Sequence, residues 1–368
     1  MKVVVTGSAG FLGWHTRLRL RAMTDHEVVP IARDQWTDLS QALSDADAVI
    51  HIAGVNRGDD DAVREGNEGL ARDLAAALAS SGRPTRVVFA NSIQDGNGTA
   101  YGAGKAKARE ILGQAVDATG GSFVDVRLPN LFGEHGRPAY NSFVATFVHA
   151  VRDGRPPQVT DRQVGLLHAQ GAAAALIDAL DGDARRIDPD STSVGVQEVL
   201  DLLQEFKASY DSGEIPDLSS PLRVDLFNTY RAALFPEHAP IALTPHTDPR
   251  GTYVELVRVR GGGGQSSFST TVPGITRGEH FHLRKVERFA VISGTARVSL
   301  RKMFTDDVFD FAVSGDVPCA IDMPVGWVHN ITNTGNDTLI TQFWSHELHR
   351  PDDPDTYYES VRPQGASA

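Results

Sequence analysis

The stretch VVVTGSAGFLG, residues 3–13, decides the fold of the N-terminal half of this chain. A run of β-branched residues leads into Gly7, Gly10 and Gly13, which have the GxxGxxG spacing, and a helical pattern follows. Glycine permits a tight turn and a close approach of the backbone to a ligand, and the N-terminus of the next helix attracts an anion. The stretch therefore predicts a strand, a turn and a helix that together bind a pyrophosphate.

Four more strand-like runs follow at regular intervals. They begin at Glu27, Ala48, Arg86 and Ser122, and segments with helical periodicity separate them. Strands that alternate with helices form a parallel sheet with helices on both faces. The N-terminal half is therefore predicted to be α/β, a doubly wound parallel sheet of the Rossmann type.

The pattern changes between about Leu234 and Gly251. Beyond this linker, short strand-like runs follow one another without helices, which is typical of a small all-β barrel or sandwich. These runs are TYVELVRVR, QSSFSTTV, ERFAVIS, TARVSLR, VFDFAVSG and TLITQFW. Since 368 residues suffice for two domains, we predict an α/β domain over residues 1–243, an all-β domain over residues 244–362 and a flexible tail over residues 363–368.

Composition and charge exclude several classes of protein. No apolar run approaches the roughly 18 residues of a membrane span, so no membrane partner is expected. The formal net charge is −12 and no block of Lys and Arg stands out, so no nucleic-acid partner is expected. Cys319 is the single cysteine and the N-terminus lacks a signal-peptide pattern, which together predict a cytoplasmic protein.

A proton-transfer set is predicted in the N-terminal half. Tyr101 and Lys105 stand four apart in a helical segment and so share a face. An ammonium near a tyrosine lowers the pKa of the phenol, which would make Tyr101 a proton donor or acceptor near neutral pH. Ser92 ends the preceding strand and can bind the same substrate oxygen.

The residues after the second strand favour NADP over NAD. Arg33 stands where a 2′-phosphate would bind, and no acidic residue ends the strand to bind ribose hydroxyls, although Asp34 follows. Asp38 and Leu39 then suit a contact on the adenine side, and Asp38 suits a helix N-cap equally well.

These motifs resemble those of the extended short-chain dehydrogenase/reductase family. TGSAGFLG, AVIHIAGVN, Ser92, YGAGK and RLPNLFG occur in that family's order, and the resemblance covers residues 2–230. It implies a Rossmann domain that uses a nicotinamide cofactor, with Tyr101 as the acid or base, Lys105 on the nicotinamide ribose and Ser92 on the substrate carbonyl. One departure is LLHAQG, residues 166–171, which replaces an acidic helix start.

Motif and resemblance together give two sets of binding residues. The predicted cofactor-binding residues are Gly7, Gly10, Phe11, Leu12, Gly13, Arg33, Asp38, Leu39, Ala53, Gly54, Tyr101, Lys105 and Pro129. The predicted substrate-binding residues are Asn56, Arg57, Asn130, Asn141, Arg250 and Glu255.

The C-terminal half carries a pattern of metal ligands. GITRGEHFHLRKVERFAVISG, residues 274–294, fits the first cupin motif at every spacing, and PVGWVHNITN, residues 324–333, fits the second, with Pro318 where a glycine would precede it. Two histidines two apart on a strand point the same way, and a carboxylate on the next strand can reach the same ion. The predicted ligands of a divalent metal are His280, His282, Glu287 and His329. This set suits Zn, Fe, Ni and Mn about equally.

A further segment, DPRGTYVE at residues 248–255, resembles the DxRGxFxE motif of the dTDP-4-dehydrorhamnose 3,5-epimerases. Arg250 and Glu255 are therefore candidates for contacts to a sugar or phosphate. A turn followed by a strand with a structural Arg–Glu pair explains the segment equally well.

A reductase followed by a metal cupin resembles a family of bacterial enzymes of capsular polysaccharide synthesis. The resemblance implies that the cupin domain, with zinc bound, epimerises C3 of a UDP-2-acetamido-2,6-dideoxy-4-hexulose. It also implies that the reductase domain reduces C4 with NADPH to give UDP-2-acetamido-2,6-dideoxy-L-talose. A homodimer is common in both parent families. Leu283 departs from a third histidine in that family's pattern.

Two other functions compete with this one. The first is an NAD(P)-dependent nucleotide-sugar epimerase or dehydratase in which the cupin metal is structural. The second is a sensor that binds NADP and a sugar without catalysis, against which the intact Ser92, Tyr101 and Lys105 argue. The base of the C3 step stays open among His282, Lys285 and Glu255.

Overall fold

The chain forms two compact units in a computed structural model that describes residues 1–155 and 157–363. The first unit is Met1–Thr146 with Asp161–Gly195, and the second is Phe147–Thr160 with Val196–Ala368. The border predicted between residues 243 and 244 falls within the second unit, and that division into domains stays a prediction. Of the predicted tail, residues 364–368 lie outside the described residues.

The first unit is built on a six-stranded parallel sheet with the strand order β2-β1-β3-β4-β5-β8. A smaller sheet has the order β6-β7-β9. The strands are β1 (Lys2–Thr6), β2 (Glu27–Ile31), β3 (Ala48–His51), β4 (Arg86–Ser92), β5 (Ser122–Leu128), β6 (Asn130–Phe132), β7 (Gln163–His168), β8 (Arg186–Ile187) and β9 (Thr192–Gly195). All five strands predicted from the sequence are therefore present and parallel.

Helices cover both faces of this sheet. They are α1 (Phe11–Met23), α2 (Leu39–Leu43), α3 (Asp60–Ser81), α4 (Ala100–Thr119) and α6 (Ala169–Asp178). Helix α5 (Phe143–Arg152) precedes α6 in the chain, and its last residues belong to the second unit. The ends follow local chemistry: Asp59 and Thr99 cap the N-termini of α3 and α4, and Gly82 and Gly120 end them in the left-handed conformation.

The two faces of the sheet have separate apolar cores because neighbouring residues on a strand point to opposite faces. Val3 and Val5 of β1 pack in a cluster that includes Leu176 of α6, whereas Val4 packs in a cluster that includes Leu74 of α3. The carboxyl ends of β1, β3 and β4 thereby lie side by side at one edge, where a ligand of a doubly wound sheet binds.

The second unit combines two helices with a β structure that is mostly antiparallel and includes a pair of parallel strands. Its elements are α7 (Val196–Asp211), β10 (Ile215–Asp217), α8 (Pro221–Ala232), β11 (Ile241–Ala242), β12 (Pro245–Asp248), β13 (Gly251–Val254), β14 (Val259–Gly261), β15 (Gln265–Thr271), β16 (Thr276–Phe281), β17 (Glu287–Ser293), β18 (Thr295–Lys302), β19 (Val308–Ser314), β20 (Cys319–Met323), β21 (Trp327–Asn333), β22 (Leu339–Ser345) and β23 (Tyr357–Tyr358).

Two five-stranded antiparallel sheets share one core in this unit. Their strand orders are β11-β20-β17-β22-β15 and β19-β18-β21-β16-β23. Phe289 and Met323 of the first sheet pack in one cluster with Leu300 and Ile331 of the second. The predicted fold class, a Rossmann-type sheet followed by an all-β domain, is confirmed.

A buried ion pair ties helix α7 to the β structure. Arg288 of β17 is fully buried, and its Nε and Nη2 donate to the Asp322 carboxylate over 2.6 and 2.9 Å. Its Nη1 donates to the Gly213 carbonyl over 2.6 Å, and the Tyr210 hydroxyl donates to Asp322 over 2.7 Å. Among the described residues, no helix combines the length and apolar character that crossing a membrane requires.

Candidate functional site

The glycine motif forms a compact turn at the carboxyl end of β1. Gly7 has a φ of 68°, and a Cβ there would lie 2.8 Å from the backbone nitrogen of Ala53. A Cβ on Gly13 would lie 2.1 Å from the Gly7 carbonyl oxygen. Only glycine permits this packing of α1 on the turn and of the turn on the end of β3.

The N-terminus of α1 carries the features of an anion site. Gly10 is the N-cap and offers no side chain to the first turn, which also holds no acidic residue. Phe11 and Leu12 begin the helix, and the Leu12 side chain is buried. The backbone N–H groups of the first turn therefore remain available to a pyrophosphate.

The predicted adenine-side residues lie in and after a 3₁₀ helix, Arg33–Asp38, that follows β2. The side chains of Arg33 and Asp38 are exposed. Asp38 is the N-cap of α2 but its side chain makes no capping hydrogen bond. Leu39 packs in the apolar core instead of facing solvent. An exposed guanidinium at this place can meet a 2′-phosphate.

Ala53 and Gly54 form the loop after β3, and a residue absent from the sequence prediction holds that loop. Asn67 of α3 is buried; its Oδ1 accepts from Val55 N over 3.2 Å and its Nδ2 donates to Val55 O over 2.5 Å. A Cβ on Gly54 would lie 3.1 Å from Asn67 Oδ1 and 4.0 Å from Lys105 Nζ. An asparagine on the apolar face of a helical pattern is the signal that could have identified it.

Ser92 and Tyr101 come together at the carboxyl end of β4. Ser92 is the last residue of the strand, and its Oγ accepts a hydrogen bond from Gln94 N over 3.1 Å. Burial raises the pKa of Tyr101, and a hydrogen bond to Ser92 offsets part of that rise. The predicted lowering of this pKa is therefore wrong. At neutral pH the phenol is protonated and can act as a proton donor.

Lys105 is buried beneath the same site. Its Nζ donates to the Ala90 carbonyl oxygen over 2.7 Å and lies 4.4 Å from the centre of the Phe89 ring. Burial lowers the pKa of Lys105 to about 8, while the negative charges of Asp125 and Asp95 act in the opposite direction. The ammonium interacts with a backbone carbonyl and an aromatic face here, which is why it does not lower the pKa of Tyr101.

Two predicted substrate residues meet a loop that precedes α5. The Arg57 guanidinium donates to the carbonyl oxygens of Ala139 and Tyr140 and lies 5.5 Å from the centre of the Tyr140 ring. The Tyr140 hydroxyl donates to Asn56 Oδ1 over 3.1 Å. Asn141 is the next residue and is exposed.

The other predicted contacts are dispersed. Pro129 and the exposed Asn130 follow β5, and Asn130 Nδ2 donates to Gly165 O over 3.1 Å. In the second unit, Arg250 donates to the Asp248 carboxylate, with 2.6 Å between Nη2 and Oδ2. Glu255 accepts from Arg258 Nη2 over 2.6 Å. Arg250 and Glu255 thus have separate local ion-pair partners.

A buried carboxylate that the sequence did not reveal lies beside the first turns of α1. Glu134 follows β6, and its Oε2 is 3.2 Å from His168 Nε2 and 3.8 Å from His15 Nε2. His15 Nδ1 lies 3.1 Å from Gln170 Nε2. Burial alone would raise the pKa of Glu134, but His168 and His15 outweigh it and hold that pKa at about 2. The LLHAQG segment thus supplies partners to the helix that follows the glycine motif.

The four predicted metal ligands lie together in the second unit. His280 of β16 is the register partner of His329 of β21, His282 follows β16, and Glu287 begins β17. One potential ligand atom from each residue lies within 4.8 Å of those of the other three. Glu287 Oε2 is 3.0 Å from His282 Nε2 and 3.4 Å from His329 Nε2.

The protonation states in this cluster suit a cation. Burial lowers the pKa of His280 to about 2, and it also lowers the pKa of His329, so these imidazoles are neutral. Burial raises the pKa of Glu287, but His282 and His329 outweigh that effect and hold it well below the usual range, so Glu287 is ionised. The buried Nε2 of His329 makes no hydrogen bond. Neutral imidazoles and a carboxylate fit a divalent transition metal.

The side chain of Lys285, one of the candidates for the base of the C3 step, binds the C-terminal segment of the chain. Its side chain is buried, and its Nζ donates to Pro354 O over 2.8 Å and to Thr356 Oγ1 over 3.3 Å. Lys285 therefore binds the C-terminal segment of the chain, a partner that no local sequence pattern indicates.

Comparisons with known proteins agree with this architecture. The model of the NAD dependent epimerase/dehydratase family matches residues 3–195, and that of the polysaccharide biosynthesis C-terminal domain matches residues 246–357. A UDP-2-acetamido-2,6-beta-L-arabino-hexul-4-ose reductase from Pseudomonas aeruginosa is 33% identical over 98% of this chain and 99% of its own length.

Two solved structures are similar to this chain, one along nearly its whole length and one along about half of it. The capsular polysaccharide assembling protein CapF from Staphylococcus aureus is 30% identical, with a TM-score of 0.60 over 98% of this chain and 100% of that chain. The UDP-glucose 4-epimerase of Thermotoga maritima is 16% identical, covers 56% of this chain and 83% of its own, and has a TM-score of 0.51, which shows the fold alone. The chain belongs to the NAD dependent epimerase/dehydratase family and resembles CapF along nearly its whole length.

Proposed function

We propose that this protein reduces the C4 ketone of a UDP-2-acetamido-2,6-dideoxy-4-hexulose with NADPH. The observation that carries the proposal is the pairing of Ser92 with a protonated Tyr101 above a buried Lys105, at the strand ends where the glycine motif can hold a dinucleotide. The similarity to a hexul-4-ose reductase over almost the whole chain supports the same class of substrate. The reaction would take place in the cytoplasm and serve capsule synthesis.

The chain's own residues can perform the proton transfer. NADPH, when bound, supplies the hydride that converts the ketone carbon to an alcohol carbon. Tyr101 Oη donates its proton to the carbonyl oxygen as negative charge develops there, and the Ser92 hydroxyl orients that oxygen. Solvent then returns a proton to the Tyr101 phenolate, and Lys105 would bind the nicotinamide ribose. Arg33, with its exposed guanidinium, would bind the 2′-phosphate.

We further propose that the second unit epimerises C3 of the same sugar before the reduction. His280, His282, Glu287 and His329 would hold a divalent ion, with zinc as our choice. Such an ion, when bound, supplies a Lewis acid that makes a proton next to a ketone more acidic. Reduction of C4 would then prevent reversal at C3, since the alcohol no longer acidifies that proton. A homodimer is part of this proposal.

The experiment that tests the proposal separates the two steps. The protein is incubated with the UDP-4-keto sugar in deuterated water, with and without NADPH, and deuterium at C3 and oxidation of NADPH are measured separately. We expect exchange without NADPH, and both exchange and oxidation with it.

Two variants assign each step to its unit. Tyr101→Phe should abolish NADPH oxidation and keep C3 exchange, and the retained exchange is the control for folding. His280→Ala should stop exchange and lose the metal, whereas His349→Ala, which changes an exposed histidine of the same unit, should do neither. Loss of both activities in Tyr101→Phe, or of neither, would refute this division of labour.

A further inference from the structure

A segment near the C-terminus, residues 354–361, runs along β16, the strand that carries His280. Strand β23 pairs antiparallel with β16, and Tyr358 is the register partner of His280. Beyond the pair, Glu359 N donates to Glu279 O over 3.0 Å and Val361 N donates to Glu279 Oε2 over 2.6 Å. We call residues 354–361 the C-terminal strap. It forms the edge of the sheet next to the metal-ligand cluster.

Asp355 attaches the strap to the residues directly after His282. Its side chain is fully buried, and its carboxylate accepts hydrogen bonds from the backbone N–H groups of Leu283, Arg284 and Lys285 over 3.0, 3.0 and 2.9 Å. Three donors on one carboxylate fix the path of the short segment that joins β16 to β17. That segment separates His282 from Glu287, so its path sets the spacing of two ligands.

The backbone of Asp355 acts on His282 itself. The Asp355 carbonyl oxygen forms a short hydrogen bond with His282 Nδ1. A carbonyl oxygen only accepts, so Nδ1 carries a hydrogen, and the bond turns the opposite ring nitrogen, Nε2, towards the cluster, where it lies 3.0 Å from Glu287 Oε2.

The conformation of Asp355 allows both contacts at once. Its φ of 44° lies in the left-handed region, which is unfavourable for most residues with a side chain and tolerated best by Asn and Asp. An unfavourable backbone conformation persists only where surrounding contacts compensate for it. Here the compensating contacts are the three N–H groups on the carboxylate and the histidine on the carbonyl.

We propose that Asp355 is a positioning residue for the metal centre, which fixes the tautomer and the orientation of His282. The inference rests on the proposed metal site. Hydrogen bonds to the non-coordinating nitrogen of a histidine ligand commonly change metal affinity by about 10–100-fold when they are lost. Asp355 supplies that bond from its backbone and holds the backbone in place with its side chain.

The test compares Asp355→Asn with Asp352→Asn in the full chain. The amide keeps the shape of the carboxylate but directs an NH₂ group at backbone donors, whereas Asp352 is an exposed aspartate just before the strap. Zn²⁺ alone is the probe, and its dissociation constant is measured by competition with a chromophoric chelator. We expect Asp355→Asn to weaken zinc binding by about 10–100-fold and Asp352→Asn to leave it unchanged.

A second readout, the NMR spectrum of ¹⁵N-labelled histidine, reports directly whether His282 Nδ1 carries a hydrogen. In the metal-free wild-type protein with ¹⁵N-labelled histidine, the spectrum should show a hydrogen on His282 Nδ1. Asp355→Asn should add a form of His282 that has no hydrogen on Nδ1. A role in folding alone would lower the unfolding temperature without changing the tautomer or the zinc affinity relative to Asp352→Asn, and that result would overturn the inference.

A further variant keeps the test decisive if Asp355→Asn does not fold. Lys285→Met removes the Nζ bonds to Pro354 and Thr356 and leaves the Asp355 carboxylate intact. We expect it to weaken zinc binding less than Asp355→Asn does, and unchanged zinc affinity in the folded variant would refute the role of the strap. If unmodified protein binds no zinc, the proposed metal site falls and this inference falls with it. If it binds zinc and the variants bind equally well, only the inference fails.

Discussion

Lys105 should lose its charge within the pH range in which the reductase can be assayed. Burial lowers its pKa from 10.5 to about 8, although its Nζ donates to the Ala90 carbonyl and lies over the Phe89 ring, contacts that favour the charged form. The ammonium is therefore about nine-tenths formed at pH 7 and about one-tenth formed at pH 9. Since one pKa unit corresponds to about 1.4 kcal/mol, burial disfavours the charged form by about 3 kcal/mol.

The affinity for NADPH should follow this charge. Because Lys105 is expected to bind the nicotinamide ribose as an ammonium, the dissociation constant should rise towards tenfold per pH unit above about pH 8. The pKa of Tyr101 is raised, so its phenol does not titrate there. The assay is a fluorescence titration of NADPH at a series of pH values from about 7 to 9.5. Lys105→Met should bind weakly and without this pH dependence.

Asp125 allows the direction of the electrostatic effect on the pKa of Lys105 to be tested. Its negative charge raises the pKa of Lys105, so Asp125→Asn should move the break in the binding curve to lower pH. Asp188→Asn makes the same change at a partly exposed ion pair with Arg186 and should leave the break where it is. An NADPH dissociation constant that does not change with pH in the wild-type protein would refute the reasoning. The same pH dependence in Lys105→Met would also refute it.

Three further predictions concern other charged groups. Arg33→Ala should weaken NADPH binding by about 10-fold or more, because a charge-assisted bond to the 2′-phosphate contributes about 1.5–3 kcal/mol. NADH binding should not change, and an equal loss of affinity for NADPH and NADH would contradict the role of Arg33. Arg288→Met should lower the free energy of unfolding of the second unit by about 3–5 kcal/mol, since the substitution leaves Asp322 buried without its cation. Urea unfolding measures this free energy, and a loss below about 1 kcal/mol would contradict the prediction. Glu134 has a depressed pKa of about 2 against 4.5, so its contribution to stability is complete above pH 4.5 and is lost as the pH falls towards 2. The free energy of unfolding of Glu134→Gln should therefore depend less on pH in that range than that of the wild-type protein. The same pH dependence in both proteins would exclude this effect of Glu134.

The parallel sheet could be predicted because its information is local. Each of β1 to β5 is a short apolar run, and separate helical segments lie between successive runs. The strands of the second unit were harder to predict from the sequence. The run TYVELVRVR is divided into β13, which pairs with β12, and β14, which pairs with β10, and a partner as distant in sequence as β10 is not visible in the run itself.

The metal-ligand cluster could also be predicted, because three of its four members stand within eight residues of one another and the fourth lies in a second motif. Its supporting contacts could not. Asp355 reaches His282 across 73 residues of sequence, and no pattern near either residue indicates the other. The direction of the Tyr101 pKa was missed for a related reason: burial depends on the whole fold, whereas the spacing of Tyr101 and Lys105 shows only that they share a helix face.

The order in which the chain passes between its two units limits how the protein can be divided. Residues 147–160 and 196–234 belong to the same unit as the antiparallel sheets, and the chain crosses from one unit to the other three times. A fragment that begins at residue 244 would lack Tyr210 and Gly213, the partners of Asp322 and Arg288. The half with the four candidate metal ligands therefore could not be cut from this chain at the linker and joined to another protein without losing these contacts. A transplant would have to take helices α7 and α8 with it.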